Sequence, residues 1–340
     1  QWFFKITDYA DELLDAIDGL DWTESVKLAQ KNWIGRKHGI NITYKVKNST
    51  GPCEIACFTT RPDTNFGATF IVISPEHELA QKLAAKEVKA KDGPDLSEKV
   101  NKYIQAAAAK GEVERQQEGR KKTGVFTGLY AVNELNGREM PVYIADFVLA
   151  GFGTGAVVGV PGHDIRDFEF AEAFDLPVVR VVVGADGDKS DITEASQVQE
   201  ESGKMINSDF LDGLDIHHAT EKMMDHMEKK GMGKRIVNYR MRDWSVSRQR
   251  YWGAPIPIVD CPKCGNVLVP DKDLPVVLPE LDDFKPSGDG RSALARAKDW
   301  LTTDCPKCGG KAERETDTLD TYICSSWYMY RYFDPHNQEK

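Results

Sequence analysis

At 340 residues the chain is long enough for two or three domains with cores of their own. Its hydrophobic share of 41% and charged share of 29% are those of an ordinary soluble globular protein; no apolar run approaches the roughly 18 residues a membrane helix needs, and no signal-like segment opens the sequence. The formal charge of −10 excludes a protein coated in basic surface, so nucleic acid would have to be met by local patches.

The chain opens on Gln1-Trp2-Phe3-Phe4 without an initiator Met, which suits an internal piece of a larger protein. Residues 8–20 place apolar side chains at helical spacing, with Gly19 as a stop. The character changes near Trp33-Ile34-Gly35, and short β-rich runs follow at 40–46, 54–58 and 69–73. A polar, Ala-rich helical stretch runs from 78 to about 117, broken at Gly93-Pro94. Asn136-Gly137, between Leu135 and a strand-like run over 140–148, is a hairpin signal. Beyond the apolar run 178–183 lies an acidic loop, 184–203, expected to be exposed, and then an amphipathic helix over 217–230. β runs interrupted by helices without strict alternation predict an α/β domain of about 200 residues, 37–236, flanked by pieces of something else. No internal repeat is present beyond a twinned cysteine unit.

That unit is Cys-Pro-Lys-Cys-Gly, at Cys261/Cys264 and again at Cys305/Cys308. The spacing is a metal pattern, not a disulfide framework. Four thiolates suit tetrahedral zinc, and four protein ligands leave no open position, so the ion would be structural. It would staple a Pro- and Asp-rich loop, 270–286. The other cysteines, Cys53, Cys57 and Cys324, sit in apolar contexts that predict buried thiols. This usage fits a reducing cytoplasm.

A basic run stands out against the acidic whole: Lys234, Arg235, Arg240, Arg242, Arg248 and Arg250 against Asp243 alone, with Tyr239, Trp244, Tyr251 and Trp252 interleaved or adjacent. It reads either as a nucleic-acid contact or as a solvated face. Conversely, the fingerprint-like Gly151-Phe152-Gly153-Thr154-Gly155-Ala156 is rejected as a dinucleotide site. The pyrophosphate needs a helix N-terminus next, and β-like Val157-Val158-Gly159-Val160-Pro161 follows instead.

Two polar stretches hold the chemistry: Thr59-Thr60-Arg61-Pro62-Asp63-Thr64 and Gly162-His163-Asp164-Ile165-Arg166-Asp167. Each follows an apolar run, where a sheet edge opens into a loop. They offer hydroxyls, one guanidinium and a carboxylate pair, with no obvious Cys or Ser nucleophile. Such a site holds a charged substrate and positions a water. The plainer alternatives stay open: Asp164 and Asp167 open a helical pattern (Phe168, Phe170, Ala171, Phe174) and could be N-cap and first-turn acids. Thr59 and Thr60 could be edge-strand residues, and Pro62 restricts Arg61 to extended backbone.

These stretches belong to an ordered set. It includes Gln1 to Thr7, Asn32-Trp33-Ile34-Gly35-Arg36, Gly153 to Val157, the run Arg242 to Pro257, and Asp317-Thr318 through Ser325-Ser326-Trp327-Tyr328. The set resembles leucyl-tRNA synthetases of the bacterial type over nearly the whole chain. The class I signatures His-Ile-Gly-His and Lys-Met-Ser-Lys-Ser are absent from the sequence, and so is the anticodon-binding region. The resemblance implies an α/β fold: a mixed, β-barrel-like editing domain with surrounding helices, fragments of a class I Rossmann-type core, and a small zinc-binding module. Its segments would be a core fragment (1–36), the editing domain (37–236), a return linker with a core fragment (237–258), the zinc insertion (259–312) and a last core fragment (313–340).

The resemblance also implies an activity: hydrolysis of tRNA(Leu) mischarged with norvaline, isoleucine or another non-leucine amino acid. Thr59, Thr60 and Arg61 would cradle the terminal adenosine ester, and Thr64 would wall the side-chain pocket against leucine. Asp167 would bind the α-ammonium, Asp164 would support it, and His163 would shape the loop. Arg240 and Arg242 would meet the tRNA acceptor end. Residues 244–253 and 325–328 resemble the floor of the aminoacylation pocket. Zinc would be structural, while ATP and Mg2+ would serve the parent enzyme's synthesis alone. A cytoplasmic monomer without a membrane partner is expected. The alternative is a module that binds the acceptor end and hydrolyses nothing.

Overall fold

The computed structural model describes all residues except 111, 116, 118, 152, 286–289 and 338–340, and the backbone alone of 112 and 113. The second residue of the rejected fingerprint, parts of the stretch 78–117 and the end of the loop 270–286 therefore lie outside the described residues. Two units are resolved by their internal contacts, Ile17–Arg240 and Gln1–Ala16 with Met241–Lys340.

In the first unit, helix α1 (Glu24–Ile34) ends at Gly35, whose φ of +59° is open to glycine at little cost. A Cβ there would also stand 2.5 Å from Cβ of Arg240, so the position is closed to side chains twice over. Strand β1 (Arg36–Val46) alternates buried and accessible residues, turning Ile40, Ile42, Tyr44 and Val46 inward. The longer elements that follow are β2 (Glu54–Thr59), β3 (Phe70–Ile73), α2 (Glu78–Ala84), α3 (Ser97–Ala108), β4 (Val125–Asn133), β5 (Arg138–Ile144), β6 (Ala156–Gly159), α4 (Ile165–Phe174), α5 (Ile216–Lys230) and β7 (Gly233–Tyr239).

Seven strands make one mixed sheet in the order β7-β1-β4-β5-β3-β6, with β2 on the other edge of β1. Among the described residues only β3 and β5 run parallel. β1 is long enough to hold β7 along 36–42 and β4 at 45–46 on one edge and β2 along 40–45 on the other. β2 and β6 share no ladder, so the sheet is open among the described residues and the expected barrel-like closure is not seen.

Strand β3 explains where the core sits. It is buried on both faces, as its unbroken Phe-Ile-Val-Ile run requires. Ile71 and Ile73 join Ile40, Ile42, Ile55, Leu129 and Met140 in a core capped by Ala219, Met223 and Met227 of α5. Phe70 and Val72 face the other way, onto Phe170 and Ala171 of α4. Burial of each such side chain is worth about 1.5–3 kcal/mol, so α4 and α5 are bound to opposite faces by their apolar stripes.

The hairpin at Asn136-Gly137 is present between β4 and β5, as a four-residue loop. Gly137 takes φ +73° and its amide donates to the Asn133 carbonyl at 2.8 Å. The strand read over 140–148 stops at Ile144. The helix read over 8–20 is shorter, a 3-10 turn (Ile6–Tyr9) running into Ala10–Ile17. The fingerprint-like segment leads into β6, not a helix.

The second unit contains only antiparallel pairings among its described residues. Phe3–Phe4 pairs with Trp244–Ser245 and Ser247–Arg248 with Thr318–Leu319. A four-stranded sheet is built in the order Gly265–Leu268, Ile258–Cys261, Lys311–Arg314, Thr302–Asp304. No parallel Rossmann-type ladder occurs among its described residues. Two short helices, Thr321–Ser326 and Tyr328–Phe333, follow with their aromatic residues exposed. Cys324 lies on the first of them and is exposed, contrary to the buried thiol expected; Cys57 is buried and Cys53 half-buried. No helix among the described residues is long and apolar enough to cross a membrane.

Candidate functional site

The chain leaves the end of β2 at Thr59 and enters a buried 3-10 turn, Pro62–Gly67, before β3. Pro62 at the start of the turn presets its backbone. Asp63 is fully buried, an arrangement that costs free energy unless the carboxylate is paired and hydrogen-bonded. Arg61 supplies both. Its Nε donates to Oδ1 (2.9 Å) and its Nη2 to Oδ2 of Asp63 (2.7 Å), a bidentate fork. Thr220 of α5 adds a third donor, its hydroxyl lying 2.9 Å from Oδ1. Thr59 Oγ1 accepts the Arg61 amide, and the Thr64 hydroxyl donates to the Arg61 carbonyl. Thr64 is thereby buried with its hydroxyl already used, leaving its methyl as the free end.

The second stretch follows β6. Asp164 is the N-cap of α4, its Oδ1 accepting the amides of Arg166 and Asp167 at 2.8 and 3.1 Å. The capping reading is therefore correct for Asp164. Asp167 is different. It is buried, and Oδ2 accepts the Val160 amide at 2.8 Å. Burial first, and the neighbouring Asp164 charge second, push its pKa up to about 8. Val160 is thus fixed at the end of β6 by a carboxylate to which no cationic side chain among the described residues is hydrogen-bonded.

His163 is also buried. Its Nε2 accepts the amides of Val181 (2.9 Å) and Val182 (3.2 Å), which places the proton on Nδ1, where it meets the Gln199 carbonyl at 3.0 Å. Burial holds its pKa down at about 4, so the ring is neutral near pH 7 with both nitrogens engaged. Gly162 before it can be nothing larger, because a Cβ would stand 2.5 Å from the Val179 carbonyl oxygen.

The two stretches are joined by residues the sequence did not single out. Arg61 Nη1 donates to the Glu200 carbonyl, and the Glu200 carboxylate accepts the Ile165 amide at 2.9 Å, at the N-terminus of α4. The loop 184–203 is exposed over most of its length, as expected. Over 197–200, however, it is half-buried and forms this bridge. Its acidity alone could not reveal that. A cleft of about 330 Å³ opens beside Arg61, lined by Thr60, Arg61, Glu201, Ile216, His217, Thr220 and Glu221. Thr64, Asp164 and Asp167 do not line it.

The basic run is less free than its charge suggests. Arg235 is held by Glu221, Asp225 and Glu228, and Arg248 pairs with Asp320. Arg240 closes the first unit, its amide donating to Ile34 and Gly35 carbonyls, whereas Arg242 belongs to the second unit.

The four cysteines converge. Their sulfurs all lie within 4.8 Å of one another, with Cys261 and Cys308 Sγ 3.7 Å apart. A disulfide needs about 2.05 Å. Four sulfurs at about 2.3 Å from one ion would be separated by about 3.8 Å along a tetrahedral edge, so the donor set fits zinc. Two tight turns present them, with Gly265 and Gly309 both at φ +69°.

Comparison with known proteins sets the class first. Residues 206–340 match the family described as tRNA synthetases class I (I, L, M and V). Residues 31–228, more than half the chain, match the family described as leucyl-tRNA synthetase, editing domain. The chain belongs to the leucyl-tRNA synthetase family, and includes its editing domain. It is 48% identical over 341 residues to a leucine--tRNA ligase of Alkaliphilus oremlandii, covering 100% of this chain and 41% of that protein. It is 49% identical over 339 residues to that of Rubrobacter xylanophilus, covering 100% and 39%. A crystal structure of Agrobacterium radiobacter K84 agnB2 LeuRS in a ternary complex with tRNA and LeuAMS is similar, with a TM-score of 0.77 and 38% identity over 99% of this chain and 37% of that one. The chain spans about two fifths of the length of these curated relatives.

Proposed function

We propose that this chain hydrolyses the ester of tRNA(Leu) mischarged with an amino acid other than leucine. The observation that most supports this is Asp167, a buried carboxylate with no cationic side chain hydrogen-bonded to it among the described residues, eight residues beyond the end of β6 and in the first turn of α4. An α-ammonium seated beside it would supply the missing counter-charge and bring its pKa back down. Near a helix N-terminus a cation needs such a carboxylate, because the helix end is itself positive.

The other roles follow from what each group has left to offer. Arg61 uses three of its five N–H donors within the protein, which leaves two for the adenosine end of the substrate. Thr59 and Thr60 supply hydroxyls beside it. Thr64 offers a stiff, β-branched methyl as the wall of the side-chain pocket. The need for such a wall is quantitative: one methylene is worth only about 1–3 kcal/mol of selectivity, too little for faithful synthesis without a second sieve. His163 is not the base, since both nitrogens are occupied; it positions the loop. The ribose hydroxyl of the substrate and main-chain groups then orient the water.

On the same reading the sheet has the curvature of a barrel without its closure, and the second unit supplies parts of a Rossmann-type core. Cys261, Cys264, Cys305 and Cys308 hold a structural zinc, which locks the two turns together. Ligation of leucine, with ATP and Mg2+, belongs to the larger enzyme of the family. Arg240 and Arg242 meet the acceptor end of tRNA(Leu), and the enzyme works as a cytoplasmic monomer.

Deacylation of norvalyl-tRNA(Leu) by the purified chain tests this. Hydrolysis abolished by Asp167→Ala supports it. Binding of the acceptor end without hydrolysis would instead make the chain a non-catalytic module.

A further inference from the structure

The turn that places Thr64 has an unusual number of carbonyls held from outside. A 3-10 turn bonds i to i+3, so its last carbonyls run out of partners: Asn65 still accepts the Ala68 amide at 3.2 Å, while the carbonyls that follow lie beyond the turn's own ladder. Here Asn65, Phe66 and Ala68 are all buried, where orphaned carbonyls would be costly. Each receives a side chain from the hairpin between β4 and β5. Asn133 Nδ2 donates to the Asn65 carbonyl at 2.7 Å, Asn136 Nδ2 to Phe66 at 3.1 Å, and Arg138 Nη1 to Ala68 at 3.0 Å. Asn133 is fully buried and its Oδ1 also accepts the Leu135 amide, so one side chain shapes the hairpin and grips the turn. From below, the Tyr44 hydroxyl donates to Asn65 Oδ1 at 2.7 Å.

We infer that the Asn133–Arg138 hairpin is a specificity clamp: Asn133, Asn136 and Arg138 are positioning residues that hold the Thr64 wall in place. The inference rests on the editing reading above and deepens it. The front of the turn is fixed through the Arg61–Asp63–Thr220 cluster and its back through the hairpin, with Thr64 between the two. A wall that separates leucine from shorter or differently branched side chains works only if it cannot retreat. The hairpin donors supply that resistance without touching substrate. They also give the Asn136-Gly137 signal a purpose beyond joining two strands.

The test uses Asn136→Ala/Arg138→Met in the chain, leaving buried Asn133 in place; Asn136 is exposed and Arg138 half-buried. Hydrolysis of Leu-tRNA(Leu) and of norvalyl-tRNA(Leu) is measured with kcat and KM resolved, and Tm is recorded. The clamp predicts that the ratio of leucyl to norvalyl hydrolysis rises about tenfold or more, the scale expected of a sub-ångström to ångström misplacement. It also predicts that KM for norvalyl-tRNA stays within about threefold. Asn136→Ala/Arg138→Lys, which returns a donor toward Ala68, should recover part of the discrimination. A folded double variant with an unchanged ratio overturns the clamp, as does a parallel fall of both activities, the mark of a merely structural role. Should the unaltered chain fail to hydrolyse norvalyl-tRNA, it is the editing reading that falls. Failure of the clamp alone leaves that activity intact.

Discussion

Arg61 and Glu200, 139 residues apart, share a hydrogen bond that ties the two halves of the candidate site together. The guanidinium donates to the Glu200 carbonyl while the Glu200 carboxylate accepts the Ile165 amide at the start of α4. Glu200, in a loop exposed over most of its length, thus helps to fix the distance between the hydroxyl-bearing turn and the carboxylate pair. Glu200→Ala removes the carboxylate that accepts the Ile165 amide and keeps the main-chain carbonyl that meets Arg61, so it should loosen the α4 end of the bridge. The expected outcome is a raised KM and lowered kcat for mischarged tRNA, with Glu200→Gln, which can still accept from Ile165, close to the unaltered chain. Equal damage from both variants would assign the effect to charge and not to the bridge.

Asp167 makes a prediction about pH. Its pKa is about 8 in the folded chain against an ordinary 3.8, so the fold favours its protonated form. The stabilisation is therefore fully present below the ordinary value and lost progressively as pH rises to about 8. Asp167→Asn, which keeps an acceptor for Val160, should gain Tm relative to the unaltered chain as pH rises from about 4 to about 8. The gain should be flat above that range. Deacylation by the variant should be lost at every pH, because no carboxylate meets the ammonium. Thermal melts across this range decide it; a Tm difference independent of pH would mean that Asp167 is ionised in the fold throughout.

His163 predicts an opposite dependence. Its pKa is lowered to about 4, so its contribution is present above the ordinary value of 6.5 and lost as pH falls toward 4. His163→Ala leaves two buried amides and a carbonyl without partners and should cost about 1–3 kcal/mol for each group left unsatisfied. The pH–rate profile of the surviving activity should show no histidine-like limb. A limb lost with His163 would make it a base after all.

Thr64→Ala should begin to hydrolyse correctly charged Leu-tRNA, while Thr64→Val, which keeps the branched shape, should not. The Val variant loses the bond to the Arg61 carbonyl, at a cost of about 1 kcal/mol in stability. Deacylation and urea melts of the two variants separate the steric role from the hydrogen bond. Unchanged protection of Leu-tRNA by Thr64→Ala would reject the wall.

The cysteine cluster predicts one zinc per chain by metal analysis. Chelation should free four reactive thiols and loosen the sheet that contains Ile258–Cys261 and Lys311–Arg314. Cys305→Ser should do the same without chelator. A zinc-free chain with ordinary thiol reactivity contradicts the assignment.

Much of this was legible in the sequence, for identifiable reasons. The periodicity of β1, the helix opened by Asp164 and the twinned Cys-x-x-Cys units are local patterns, and local patterns survive into the fold. The partners of Asp63 were not legible. Nothing in Arg61-Pro62-Asp63 says that the carboxylate is fully buried, or that Thr220, 157 residues on, completes its shell. Glu200 was hidden for a similar reason. One acid in an acidic loop looks like its neighbours until the chain folds it onto a helix N-terminus. The surroundings of Arg235 were hidden too, because charge counted along the chain ignores the acids of α5 that hold it.

The most direct test is deacylation of norvalyl-tRNA(Leu) by the purified chain beside its Asp167→Ala variant. The account predicts release of norvaline by the unaltered chain, sparing of Leu-tRNA(Leu), and a rate indistinguishable from buffer for the variant. Hydrolysis at equal rates by both proteins, or by neither, would contradict it.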